Sequence, residues 1–169
     1  MPGGQYNFRP VAESDFPMLR RWLQTPDVTQ WWGDPDHELG LIRQDLEDRR
    51  VVGLIVSLDD TPFAYAQHYD VHDWPQAHML HLAPGTRAVD TFVGVPDMLG
   101  AGHGAAYLHA LAAGLLEDGA AGVVIDPDIK NARARRAFEK AGFSKIESHR
   151  TKDGAAIVMH FVPDDGQAR

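Results

Sequence analysis

Met98-Leu99-Gly100-Ala101-Gly102-His103-Gly104 stands between an apolar run, Val89-Asp90-Thr91-Phe92-Val93-Gly94-Val95, and a stretch rich in alanine and leucine. Glycines at alternate positions of a strand-to-helix junction leave backbone N–H groups open at the positive end of a helix dipole. Such a junction suits an anion, a pyrophosphate above all, and it equally suits a tight turn that needs positive φ angles. No Lys-Ser or Lys-Thr follows Gly104, which excludes a P-loop, and the Gly-x-Gly-x-Gly spacing is not the Gly-x-Gly-x-x-Gly of dinucleotide-binding folds.

Downstream, Leu108, Leu111, Ala112 and Leu115 recur at helical spacing over 104–117, and Gly119 supplies a stop. Residues 121–125 are apolar throughout, as befits a strand buried on both faces in a parallel pair. Strand 89–95, helix 104–117 and strand 121–125 therefore make a βαβ unit. Upstream, 6–10 reads as a strand, and a helix from Ser14 or Asp15 carries Phe16, Leu19 and Leu23 on one face. Asp34-Pro35 starts a second helix with Leu39, Ile42 and Leu46 as its stripe. The runs 51–58 and 63–70 flank Asp59-Asp60-Thr61-Pro62, a hairpin signature. Residues 71–87 form a long turn-rich loop. A last helix follows Asn131 and ends at Gly142, and strands near 143–148 and 155–161 close the chain. The expected fold is α/β (α+β), with a mixed sheet of six or seven strands and helices on both faces.

A chain of 169 residues with no internal repeat or linker composition reads as one domain over 1–169. Hydrophobic residues are 44% and charged ones 24%, ordinary values for a globular protein. No apolar run approaches the roughly 20 residues of a membrane span, and the first residues lack a basic segment leading into an apolar one. No membrane partner and a cytoplasmic location are expected. With no cysteine, the chain has neither disulfides nor a thiol nucleophile. A net charge of −8 disfavours nucleic acid and favours a cationic small molecule. His72, His78 and His81 share the long loop, but their spacing is not that of a metal motif, so no metal is expected.

The Gly100-x-Gly102-x-Gly104 loop, the order of elements, and the segment Asn131-Ala132-Arg133-Ala134-Arg135-Arg136-Ala137-Phe138-Glu139-Lys140-Ala141-Gly142-Phe143 occur together here. With them the chain resembles the GNAT acetyltransferase superfamily. Through Trp31-Trp32-Gly33, Tyr65-Ala66-Gln67, Val89-Asp90, Asp126-Pro127 and Asp153-Gly154 it is most similar to the aminoglycoside 6'-N-acetyltransferases, enzymes of antibiotic resistance. The resemblance implies a parallel strand pair splayed to admit acetyl-CoA between 89–95 and 121–126. It implies pyrophosphate on the amides of Leu99, Gly100, Ala101, Gly102, His103 and Gly104. Asn131 would meet the pantetheine arm, and is otherwise a plain helix cap. Arg133, within the basic group Lys130, Arg133, Arg135 and Arg136, would meet the 3'-phosphate, or simply form an exposed face.

The implied reaction is direct attack of an amine on the thioester carbonyl. Asp90 matches the family's catalytic aspartate and would take the amine's proton; from the residues alone it also reads as a solvent-facing strand aspartate. Backbone N–H groups around Phe92 and Val93 would polarise the carbonyl, with Gly94 compatible with a bulge. Phe138 stands where many members carry a tyrosine acid and cannot donate a proton, so no general acid is assigned. For a polyamine sugar, carboxylates at Asp73, Asp126 and Asp153 and an aromatic wall at Trp31 or Trp32, with Tyr65 and Gln67 on one strand face, make the expected pocket. The alternatives are another amine (a siderophore hydroxylysine, a polyamine or a peptide) and a silent acyl-CoA-binding module. Dimers are common among such proteins, so a homodimer is the assembly the resemblance suggests.

Overall fold

The computed structural model of the chain describes residues 5–152 and 154–163. It opens with strand β1 (Tyr6–Pro10), a 3-10 turn at Glu13–Asp15 and helix α1 (Phe16–Leu23). Helices α2 (Pro26–Trp32) and α3 (Pro35–Asp48) precede strands β2 (Val51–Leu58) and β3 (Thr61–Asp70). A 3-10 turn at Ala77–Met79 leads to β4 (Thr86–Val93), and another at Pro96–Met98 leads to helix α4 (His103–Glu117). Strand β5 (Gly122–Ile125), helix α5 (Ala132–Ala141) and strands β6 (Phe143–Thr151) and β7 (Gly154–Phe161) complete the described chain. The seven strands follow the order β1-β2-β3-β4-β5-β7-β6. β4 and β5 run parallel, Thr86 to Ala88 beside Gly122 to Val124, whereas β6 and β7 are an antiparallel hairpin. Among the described residues, no helix is long and apolar enough to cross a membrane.

The chain divides into two compact units, Met1–Tyr69 with Asp90–His103, and Asp70–Val89 with Gly104–Arg169. In the first, the periodic apolar residues become one core: Phe16, Leu19, Leu23, Leu39 and Ile42 pack with Ile55, Tyr65 and Phe92. Each such side chain contributes roughly 1.5–3 kcal/mol by leaving water. Asp34 caps α3 by accepting from His37 N–H at 2.8 Å, with Pro35 at the first helical position. Asp59 (φ 48°) and Asp60 (φ 71°) both adopt the left-handed conformation that a two-residue hairpin turn requires. α2 is absent from the periodic pattern because it has only seven residues and buries only Val28 among them. Gly94, expected to serve a bulge, has a different reason to be glycine. It follows β4 directly, its N–H donates to Phe63 O at 2.8 Å, and a Cβ there would overlap the Trp22 side chain.

In the second unit, Val123, Val124 and Ile125 are all buried, as a continuous apolar strand in a parallel pair should be. Tyr107, Leu108, Leu111 and Ala112 form the inward stripe of α4, and Leu115 is half-buried. β4 begins three residues earlier than the apolar run suggested and ends at Val93. Thr86 is buried and accepts from Val71 N–H at 3.0 Å, which ties the start of the strand to the chain leaving β3.

Candidate active site

Asp90 lies mid-strand on β4, half-buried, and its Oδ2 accepts a hydrogen bond from Gln67 Nε2 at 3.0 Å. Gln67 Oε1 in turn accepts from the Tyr65 hydroxyl at 2.7 Å. Tyr65 and Gln67 are two residues apart on β3, so the pleat puts both on one face, as their spacing requires. Tyr65 is 0% exposed. Burial, then the charges of Asp45, Asp90 and Glu38, push its hydroxyl well above the usual tyrosine range, so it remains a donor. That donor fixes which end of the Gln67 amide faces Asp90. Tyr65 was expected to touch substrate; its closed position makes it a support for Gln67. Asp45 itself is pushed up to about 6 by burial and by the neighbouring Asp48.

Around this relay, Trp32 stands edge-on to Phe92 at 5.0 Å and to Tyr65 at 6.3 Å. Trp31, by contrast, is 38% exposed and is the member of the pair with a free ring surface. The side chain of Phe92 is part of the core, which leaves Phe92 only its backbone to offer a ligand, and Val93 is half-buried.

The glycine loop has the geometry of its tight-turn reading. Gly100 (φ 82°) and Gly102 (φ 86°) take the left-handed conformation, while Gly104 is helical, the second residue of α4. A side chain at Gly100 or Gly104 would meet nothing within 4 Å, so the backbone is open on that side. Leu99 is half-buried and Ala101 exposed. His103 turns its ring inward: its Nδ1 is 2.8 Å from the Tyr6 hydroxyl, and the ring stands edge-on to Tyr6 and Phe63. Its side chain anchors the loop to β1 and β3, and its backbone stays with the loop.

In the second unit a cavity of about 520 Å³ is lined by His78, Asp126, Asp128, Lys130, Gly154 and Ile157, among others. Asp126 follows β5 directly and pairs with His78, Nε2 to Oδ2 at 2.9 Å. The bond to Asp126 pushes the His78 imidazole above its ordinary range, against the opposing effect of burial. No sequence spacing announces this pair, because His78 comes from the 3-10 turn 48 residues upstream. Asp73 is exposed and acts, with Asp70, on the half-buried Arg87. Asn131 caps α5, its Oδ1 accepting from Ala134 N–H at 3.1 Å, and its Nδ2 is left to donate. Arg133 is exposed and Phe138 half-buried on α5. Arg135 folds back to the Ile129 carbonyl at 3.1 Å, which removes it from the basic face. Asp153 lies outside the described residues.

A half-buried carboxylate held by an amide, a strand end and an anion-suited loop directly after it form the arrangement of an acyl-CoA-dependent amine acyltransferase. The model of the acetyltransferase (GNAT) domain matches residues 11–151, and the chain belongs to that family. Its relatives include the aminoglycoside N(6')-acetyltransferase type 1 of Klebsiella pneumoniae, 30% identical over 163 residues that cover 89% of this chain and 80% of that protein. AAC(6')-Ib in complex with ribostamycin and coenzyme A superposes with a TM-score of 0.82 at 29% identity, over 94% of this chain and 93% of that one. The same enzyme with paromomycin and acetyl-CoA gives 0.80 at 28% identity, with the same coverage.

Proposed function

We propose that this acetyltransferase moves the acetyl group of acetyl-CoA to the 6'-amine of an aminoglycoside, in one direct step within a ternary complex. The observation that carries the reading is the Tyr65–Gln67–Asp90 relay, which aims one carboxylate without neutralising it. Acetyl-CoA supplies an electrophilic thioester carbonyl and a thiolate leaving group. The residues suited to hold it are, in the first unit, the amides of 100–103 and the backbone of Phe92 and Val93, and, in the second, the Nδ2 of Asn131 and the exposed guanidinium of Arg133; the Leu99 N–H is already given to Pro96 O at 3.1 Å. Asp90 accepts the proton that the amine loses as its nitrogen forms the new C–N bond. The departing thiolate takes its proton from water, since Phe138 has none to give.

The cavity beside Asp126 in the second unit suits a cationic group of the substrate; the resemblance offers Asp73, Asp153 and Trp31 as further substrate contacts. The cytoplasm, where acetyl-CoA is available, is the compartment this reading implies. The test is CoA release, followed with a thiol-reactive dye, on a panel of amines; the chain has no cysteine to contribute background. Turnover with kanamycin-type compounds and none with analogues lacking a 6'-amine supports the reading. Turnover only with polyamines, lysine derivatives or peptides moves the substrate, and tight acetyl-CoA binding without turnover on any amine overturns catalysis.

A further inference from the structure

Four side chains that the acetyl-transfer reading does not use converge on the β6–β7 hairpin. Glu147 and His149 are two residues apart on β6 and share a face. His160 on β7 pairs directly with Lys145, which puts it one diagonal step from Glu147 on that same face. His81 arrives from the chain just after the Ala77–Met79 turn, and its ring lies 5.1 Å from that of His149. Glu147 Oε1 is 2.8 Å from His81 Nε2 and 2.9 Å from His149 Nε2, and Glu147 Oε2 is 2.5 Å from His160 Nε2.

We propose that His81, Glu147, His149 and His160 form a binding site for one divalent transition-metal ion of the Zn2+ class. Three imidazole nitrogens and one carboxylate oxygen are a donor set for a borderline ion in four-coordinate geometry, whereas Mg2+ and Ca2+ favour oxygen ligands. The donor atoms of His81, Glu147 and His149 already lie within 4.8 Å of one another. Bonds of about 2.0–2.1 Å place tetrahedral donors about 3.3 Å apart, so the Glu147 pairs with His81 and His149 open by roughly half an ångström and the pair with His160 by roughly 0.8 Å, while the His81 and His149 nitrogens, within 4.8 Å, adjust by side-chain rotation. Three of the four donors sit on paired strands, which preorganises them. The four side chains are 19–45% exposed, which gives an ion a path in from solvent. Each imidazole binds as the neutral tautomer with its proton on Nδ1.

An ion here would fasten the segment after Ala77–Met79 to the hairpin. That segment also carries His78, whose partner Asp126 lines the cavity. The site stands independently of the substrate reading, because its donors come from the hairpin and this segment alone.

The test uses untagged full-length protein stripped with a chelator. It is titrated with Zn2+ against a chromophoric competitor, and with Co2+ followed by visible absorption. One equivalent per chain, the intense absorption of four-coordinate Co2+, and a Tm that rises with free Zn2+ are expected. His81→Gln and His149→Gln should each weaken binding at least tenfold, and His37→Gln, on the exposed face of α3, should leave it unchanged. His81 is a loop residue, so its replacement leaves the strands intact. Equal binding by wild type and the His81→Gln/His149→Gln double variant would overturn the site, as would a loss of the same size in His37→Gln. Effective competition by Mg2+ or Ca2+ at comparable concentration would overturn the metal class.

Discussion

The amide of Gln67 reaches Asp90 across 3.0 Å, and the orientation of that amide is set by the hydroxyl of Tyr65 at its other end. A hydrogen bond to the charged form of a carboxylate favours that form. The relay thus aims Asp90, and it does so from residues that need not touch substrate.

Asp90→Asn should lower kcat by about 10²–10⁴-fold, the range for a lost general base, with little change in acetyl-CoA affinity. Gln67→Leu should lower it by about tenfold, the worth of one hydrogen bond to a carboxylate. A kcat for Gln67→Leu equal to that of wild type would remove Gln67 from the relay.

Asp126→Asn should raise the KM for a polycationic amine and leave that for acetyl-CoA unchanged. His78, raised by its bond to Asp126, competes with the incoming ammonium while it is protonated. The KM should therefore fall as pH rises through the His78 pKa, by a few-fold, since partly exposed pairs are worth about 1 kcal/mol or less. His78→Gln should flatten that dependence, which steady-state kinetics across pH would reveal.

Gly94→Ala should cost about 3 kcal/mol, because the new methyl meets the Trp22 side chain on a residue whose N–H is held by Phe63. Trp22→Leu in the same chain should return part of that loss, a non-additivity that denaturant unfolding of the four proteins measures.

Asp45 carries an ionisation cost in the fold. Its pKa rises from 3.8 to about 6, so protonation favours the folded state, and the full penalty applies above pH 6. Asp45→Asn should raise stability at pH 7.5 by about 1 kcal/mol after allowing for its partial exposure to solvent. The gain should shrink as pH falls below 6 and vanish below 3.8. Thermal melts of both proteins at several pH values would show the two curves converging.

Local chemistry made much of the fold legible. Asp34-Pro35 announced α3, and the Asp59-Asp60 turn announced the hairpin; both depend on neighbours within a few residues. The βαβ order followed from the glycine loop between two apolar runs. Helix α2 escaped because one buried residue in seven sets no period. In the candidate site, Tyr65 and Gln67 were visible as a pair, but the hydrogen bond from Gln67 to Asp90 joins positions 23 residues apart. The same holds for His78 with Asp126 and for Glu147 with its three histidines, where only the fold makes neighbours of distant residues. Gly94 was read as a backbone irregularity, and its real constraint is the bulk of Trp22.

The contact between His103 and Tyr6 carries one more consequence. β1 stands first in the strand order and, among the described residues, is paired on one side only, with β2. End strands of this kind open locally at a smaller free-energy cost than central ones. The glycine loop is therefore moored in part to an end strand, through Tyr6, and in part to the central β3, through Phe63. Amide hydrogen exchange in β1 and the order of the 99–104 backbone should rise and fall together, and shortening the chain into Tyr6 would loosen a loop almost a hundred residues away.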